Sequence, residues 1–274
     1  MDDARHSVEL ADRSGDAEER MINRTTLADG LHQSGDLAQA RSLFQQAEQM
    51  QKEMQPQYPL LYSLQGYQYC ELLLGGCEAL AWTPPAPQTL SVPSRPQALS
   101  RCREVRERAE KVLQRAATDP HNPILDFALD QLTLGRTFLL EAALDAPSPD
   151  LLSPAQHHLD RAVTGLRQAG RQDDMPRGLI ARAQLRRFQF QHSGDEAFAQ
   201  QAQLDLAEAA QIASRGPMPL SQADIHLEQS RLHHALGNLN QAREHLTKAK
   251  AIIEKTGYHR RDQEVMALEG QIAR

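Results

Sequence analysis

The stretch Leu236-Gly237-Asn238-Leu239-Asn240-Gln241-Ala242-Arg243-Glu244-His245-Leu246-Thr247-Lys248-Ala249 decides the fold. Glycine suits the left-handed backbone that ends a helix, and Asn238 carries a side chain able to start the next one. Ala242, Leu246 and Ala249 then fall at offsets of four and seven, on one helical face. Two small residues flanking a large one let a neighbouring helix come close while the large one fills the gap. Before the turn, Gln229-Ser230-Arg231 sets another small residue among leucines.

Outward from this stretch the pattern repeats. Gly35-Asp36 precedes Ala40, Phe44 and Ala47, with Ala28 in the helix before. Gly135 is followed by Ala155, Leu159 and Ala162, and Ala183 by Ala202, Leu206 and Ala209. A weaker copy follows Gly66 at Cys102, Arg106 and Ala109, with an arginine where a large apolar residue is expected. Five helix hairpins in series are the reading, in units of about 21–55, 58–116, 122–169, 175–214 and 220–256. The first and fifth units are compact, with 19 residues from Ala28 to Ala47 and 19 from Ser230 to Ala249. The central three carry extra residues between their helices: a Pro-rich insertion at about 82–96, the segment 146–150, and residues around Ser193-Gly194 that lengthen the helices. A lone helix is expected over Asp3–Arg13. A cap helix is expected at about 261–273, with Val265, Leu268 and Ile272 on one face and a polar outer side.

Composition agrees. The 274 residues are rich in helix formers, aromatics are only 4%, and runs of β-branched residues are nearly absent, so a sheet is not expected. The net charge of −6 is spread along the chain with no basic block, so nucleic acid is not the expected partner. No apolar run is long enough to span a bilayer, and the polar N-terminus is no secretory signal; a cytoplasmic location is expected. Cys70, Cys77 and Cys102 are a sparse, odd set, expected as reduced, buried thiols.

The small residue of the first helix, the turn glycine and the two alanines of the second helix resemble the tetratricopeptide repeat family. Gly35-Asp36…Ala40…Phe44…Ala47 and Gly237-Asn238…Ala242…Leu246…Ala249 carry the resemblance best. The family's tryptophan early in the first helix is absent, and no proline regularly closes each unit. The resemblance implies a right-handed, all-α solenoid forming a single repeat domain over residues 1–274. A second resemblance rests on Arg24-Thr25-Thr26-Leu27-Ala28-Asp29, Tyr58-Pro59-Leu60-Leu61-Tyr62-Ser63-Leu64-Gln65-Gly66 and Tyr258-His259-Arg260-Arg261-Asp262. These look like the C-terminal repeat arrays of large bacterial STAND-type signalling ATPases. The residues of the nucleotide switch are not in this chain, so no ATPase activity carries over.

No phosphate-binding glycine loop is present, and the doublets His157-His158 and His233-His234 point in divergent directions on a helix, so no metal, cofactor or catalytic group is expected. What remains is surface. In the resembled architecture the first helices line a concave groove, and the residue after each small position looks into it: Asp29, Tyr67, Arg136, Gln184 and Arg231. A turn further on stand His32, Cys70, Leu139, Arg187 and His234; one and a half turns earlier stand Ile22, Leu60, Leu129, Arg177 and Asp224. The expected partner is a protein or peptide, with Arg136, Arg177, Arg187 and Arg231 meeting an acidic or C-terminal segment through paired hydrogen bonds. The competing arrangement pairs these arginines with the chain's own carboxylates. The expected role is a non-catalytic interaction module, with the sensor part of a bacterial signalling or defence system as its expected setting, against a regulatory array that binds a small ligand or nucleic acid and controls a separate effector. Oligomeric state is not legible in the sequence.

Overall fold

A computed structural model describes residues 2–82, 93–118 and 123–273, with backbone only for 116–118. Every regular element among them is helical. Helix α1 (Asp2–Ser14) is followed by five hairpins: α2 (Ala17–Gln33) with α3 (Leu37–Met54), α4 (Ser63–Trp82) with α5 (Arg95–Thr118), α6 (Ile124–Leu144) with α7 (Pro149–Ala169), α8 (Met175–Ser193) with α9 (Glu196–Arg215), and α10 (Pro219–Ala235) with α11 (Leu239–Thr256). A short 3-10 turn, His259–Arg261, leads into α12 (Asp262–Ile272). Each first helix packs on its own second helix and on the first helix of the next hairpin. The chain is an all-α solenoid of helical hairpins. No helix among the described residues is long and apolar enough to cross a membrane.

Local chemistry starts and stops these helices. Asp16, Asp36 and Asp195 accept hydrogen bonds from backbone amides of the first turns of α2, α3 and α9. Gly194 and Gly257 end α8 and α11 at φ 71° and 69°, a conformation that costs a residue with a Cβ. The residues around Ser193-Gly194 therefore do not form a long loop; they extend α8 and α9 to a tight turn.

The recurring small residues sit where helices cross. Ala28, Ala40, Ala47, Ala155, Ala162, Ala183, Ala202, Ala209, Ser230, Ala242 and Ala249 are all fully buried. At Gly135 the helices interlock closely: a Cβ there would lie 2.6 Å from the Leu159 Cγ. In the last hairpin the Ser230 hydroxyl donates to the Ala242 carbonyl at 2.7 Å, tying α10 to α11 directly. Phe44 is fully buried and stacks on Tyr69, with ring centroids 5.0 Å apart.

The second hairpin departs from the pattern. Its buried face on α5 is Ala98, Cys102, Val105 and Ala109, so Val105 takes the place expected of residue 106. Arg106 instead lies 5.0 Å over the Phe138 ring and donates to Glu141 at 2.9 Å. Gly66 does not meet α5 either. A Cβ there would lie 2.5 Å from the Leu61 carbonyl oxygen, because the chain before α4 folds back across it. The three cysteines are buried free thiols. Of the insertion at 82–96, residues 83–92 lie outside the described residues, while Arg95 and Pro96 already belong to α5.

Candidate functional site: a charged inner wall held by the C-terminal segment

The inner wall is built by the even-numbered helices, and its centre is a ladder of buried ion pairs. On α4, Glu71 and Glu78 stand seven residues apart, on one face. Arg136 of α6 bridges them, with Nη1 2.8 Å from Glu71 and Nη2 2.5 Å from Glu78. The Tyr67 hydroxyl donates to Glu71 at 3.1 Å and accepts from Arg136 at 3.2 Å. On α10, Asp224, Glu228 and Arg231 share a face. Glu228 accepts from Arg187 of α8 at 2.5 Å and from Arg231 at 3.4 Å; Arg231 also donates to Glu264 of α12.

The turn after α11 enters this wall. Arg261 donates to Asp224 at 2.8 Å and to Glu264 at 2.5 Å, and reaches Glu78 at 3.5 Å. Tyr258, buried, donates its hydroxyl to Asp224 at 3.0 Å. Arg260 lies 3.4 Å from both Gln33 and Glu71. His259 packs against Gly35 in the first turn of the array, where an added Cβ would come within 3.3 Å of it. Gln271 of α12 donates to the Trp82 carbonyl at 3.1 Å. The two ends of the solenoid therefore touch, and the wall is not an open groove.

These contacts set the charges. Burial pushes Glu71 toward the neutral form, but Arg260, Arg136 and Arg177 outweigh it and hold the carboxyl well below the usual range. Glu264 follows the same logic, with Arg261 and Arg231 bringing it down to about 2. His32, buried on α2, moves the other way from its ordinary value: desolvation, then the Arg260 charge, depress it to about 2. The unfolded chain takes up a proton at His32 below about 6.5, while the folded chain refuses one down to about 2. Stability at this residue is therefore complete at neutral pH and is lost as pH falls through that window. Burial also lowers His158, His226, His233 and His245, which share the slope. His32→Leu is expected to flatten, not abolish, the decline in urea midpoint between pH 7 and 5; an unchanged slope would show that His32 already protonates in the folded chain.

The expected groove residues divide into two groups. Tyr67, Arg136, Arg177 and Gln184 line one cleft together with the C-terminal turn. Asp29 stands outside it and accepts from Gln33 and Gln68, linking α2 to α4. Arg187 and Arg231 are buried beside Glu228 and are not presented to a partner. His234 is half-buried near the end of α10, away from the cleft lining. Cys70 and Leu139 are core residues: four positions after a small residue, the helix face has turned back toward neighbouring helices. The arginine set expected to await an acidic peptide is thus largely consumed by the chain's own carboxylates. Spacing leaves out Glu71, Glu78, Arg260 and Arg261. One helical turn on from Tyr67 is Glu71, and seven further is Glu78, so stepping along the groove face reaches both. Nothing local in Tyr258-His259-Arg260-Arg261 signals its return to the first hairpins.

Fold and wall together define a helical-hairpin repeat protein with a charged, self-occupied inner surface. The sequence matches no protein-family model, and a search of curated proteins finds no match either.

Proposed function

We propose that the chain is a non-catalytic protein-interaction module whose inner wall takes an arginine-bearing segment of a partner. The observation that carries this is the seating of Tyr258–Arg261: two arginines and an aromatic residue from outside the hairpins meet Glu71, Glu78 and Asp224 across α4 and α10. With that turn withdrawn, Arg136 and Arg177 are left against Glu71, Glu78 and Asp224, so the vacated wall favours a cation. This reverses the charge of partner expected from the arginine positions. The tetratricopeptide-like reading, a cytoplasmic location and a place in a bacterial signalling or defence system belong to the same proposal; the recurrent small–large–small faces support the first of these. A partner's segment acts by replacing the turn, and a preformed wall keeps the ordering cost of binding low.

A labelled peptide spanning residues 255–266 tests it. It is expected to bind the Arg260→Ala/Arg261→Ala variant about tenfold more tightly than the native chain, a gain of about 1.4 kcal/mol. Adding Glu71→Gln and Glu78→Gln to that variant should remove the gain. Equal, weak anisotropy changes with all three proteins, each helical by circular dichroism, would reject the proposal.

A further inference from the structure

We infer that the cleft between the inner wall and the C-terminal turn is a binding site for one small oxyanion, the phosphate or carboxylate group of a small molecule. It rests on two arginines whose hydrogen bonding is incomplete, and it holds whether or not a partner's segment ever replaces the turn.

Among the residues lining the cleft are four arginines against three carboxylates. Arg136 and Arg261 are fully engaged, with contacts of 2.5 to 2.8 Å to Glu71, Glu78, Asp224 and Glu264. Arg177 and Arg260 are the two held at longer distances. The Arg260 side chain is only 5% exposed. Its nearest contacts are 3.4 Å to Gln33, 3.4 Å to Glu71 and 3.8 Å to Glu78, long for bonds between charged groups, and its Nε and Nη2 have no hydrogen-bond partner among the described residues. Arg177, 34% exposed, lies 5.3 Å from the Tyr67 ring centroid, and its Nη1 stands 3.7 Å from Asp174, too far for a hydrogen bond. A charged donor without a full hydrogen bond is expensive, and an oxyanion in the cleft that both side chains line draws both guanidinium groups to it.

Size narrows the class. The cavity holds about 90 Å³, several water molecules' worth of room and enough for a single phosphate or a short carboxylate, but far less than a nucleotide or a peptide strand requires. Gln184 and Ser221 also line it and offer neutral donors. Because Arg177 stands on α8 and Arg260 on the C-terminal turn, the bound anion bridges the two and holds the turn in place.

Isothermal titration calorimetry at constant ionic strength, with inorganic phosphate and with succinate as probes against a chloride background, tests the site. The native chain is expected to bind at least one of the two saturably at one site. Arg177→Gln and Arg260→Gln should each weaken that binding by about tenfold or more. Arg167→Gln, which removes an exposed arginine paired with Glu208 outside the cleft, should leave it unchanged. Phosphate alone binding assigns a phosphoryl group, succinate alone a carboxylate. If Arg260→Gln fails to fold, Arg177→Gln decides. No saturable heat from either probe, or equal binding by the native chain and Arg177→Gln, overturns the inference.

Discussion

Glu228→Ala is expected to lower the free energy of unfolding by about 3–5 kcal/mol, the loss usual when one partner of a buried ion pair is removed. Glu228 is 1% exposed and receives both Arg187 and Arg231. Without it, Arg187 keeps only Gln191, 2.9 Å away, and the face of Trp82, 4.9 Å from its guanidinium carbon. Arg231 keeps Glu264. The penalty is the stranding of Arg187, not the loss of attraction as such. Replacing Glu228 and Arg187 together with leucine should therefore recover most of the loss. The exposed pair Lys248–Glu244, an i,i+4 pair on α11, is expected to contribute far less and to fade with salt. Urea unfolding of Glu228→Ala, of the double leucine variant and of Glu244→Ala distinguishes these cases. A loss below about 1 kcal/mol for Glu228→Ala would mean that water reaches Arg187, contrary to its burial.

Leu159→Ala should cost about 2–5 kcal/mol, because Leu159 is fully buried in the largest apolar cluster and fills the space left by Gly135. Gly135→Ala alone places a methyl 2.6 Å from the Leu159 Cγ and should cost about 1–3 kcal/mol, against the gain of helix propensity that alanine brings elsewhere. The two changes should not add. In the Leu159→Ala background the two closest contacts, Cγ and Cδ2, are gone and the backbone nitrogen of residue 159 stays at 3.0 Å, so Gly135→Ala becomes much milder. Additive losses in the double mutant would show that α6 and α7 do not interlock at this pair.

The hairpins were legible because their signal is local. Offsets of four and seven around Ala40, Ala155, Ala202 and Ala242 encode one buried face each, and a helix reports its faces within two turns. Arg106 misled because its long apolar stem and flat guanidinium can lie on Phe138 while the charge reaches Glu141, so a polar letter stood next to the true buried position at Val105. The inner wall was legible only as a row of positions. Tyr67, Arg136 and Arg177 fall where spacing puts them, but their partners arrive from α4, α10 and the turn at residues 258–261, and helix periodicity carries no information about which distant carboxylate meets which arginine. The closing contact of Arg260 with Gln33 joins residues 227 positions apart, beyond the reach of any repeat pattern.

That contact changes the character of the array. A stack in which each unit feels only its neighbours melts from its tips, since a terminal unit is held on one side alone. Here the first and last turns clasp each other at Gly35 and His259, and Gln271 fastens α12 to the end of α4. The string of hairpins has become a loop of neighbours, in which fraying at either extremity must also release the other, and cooperativity that a linear stack would lack is restored by a handful of polar groups.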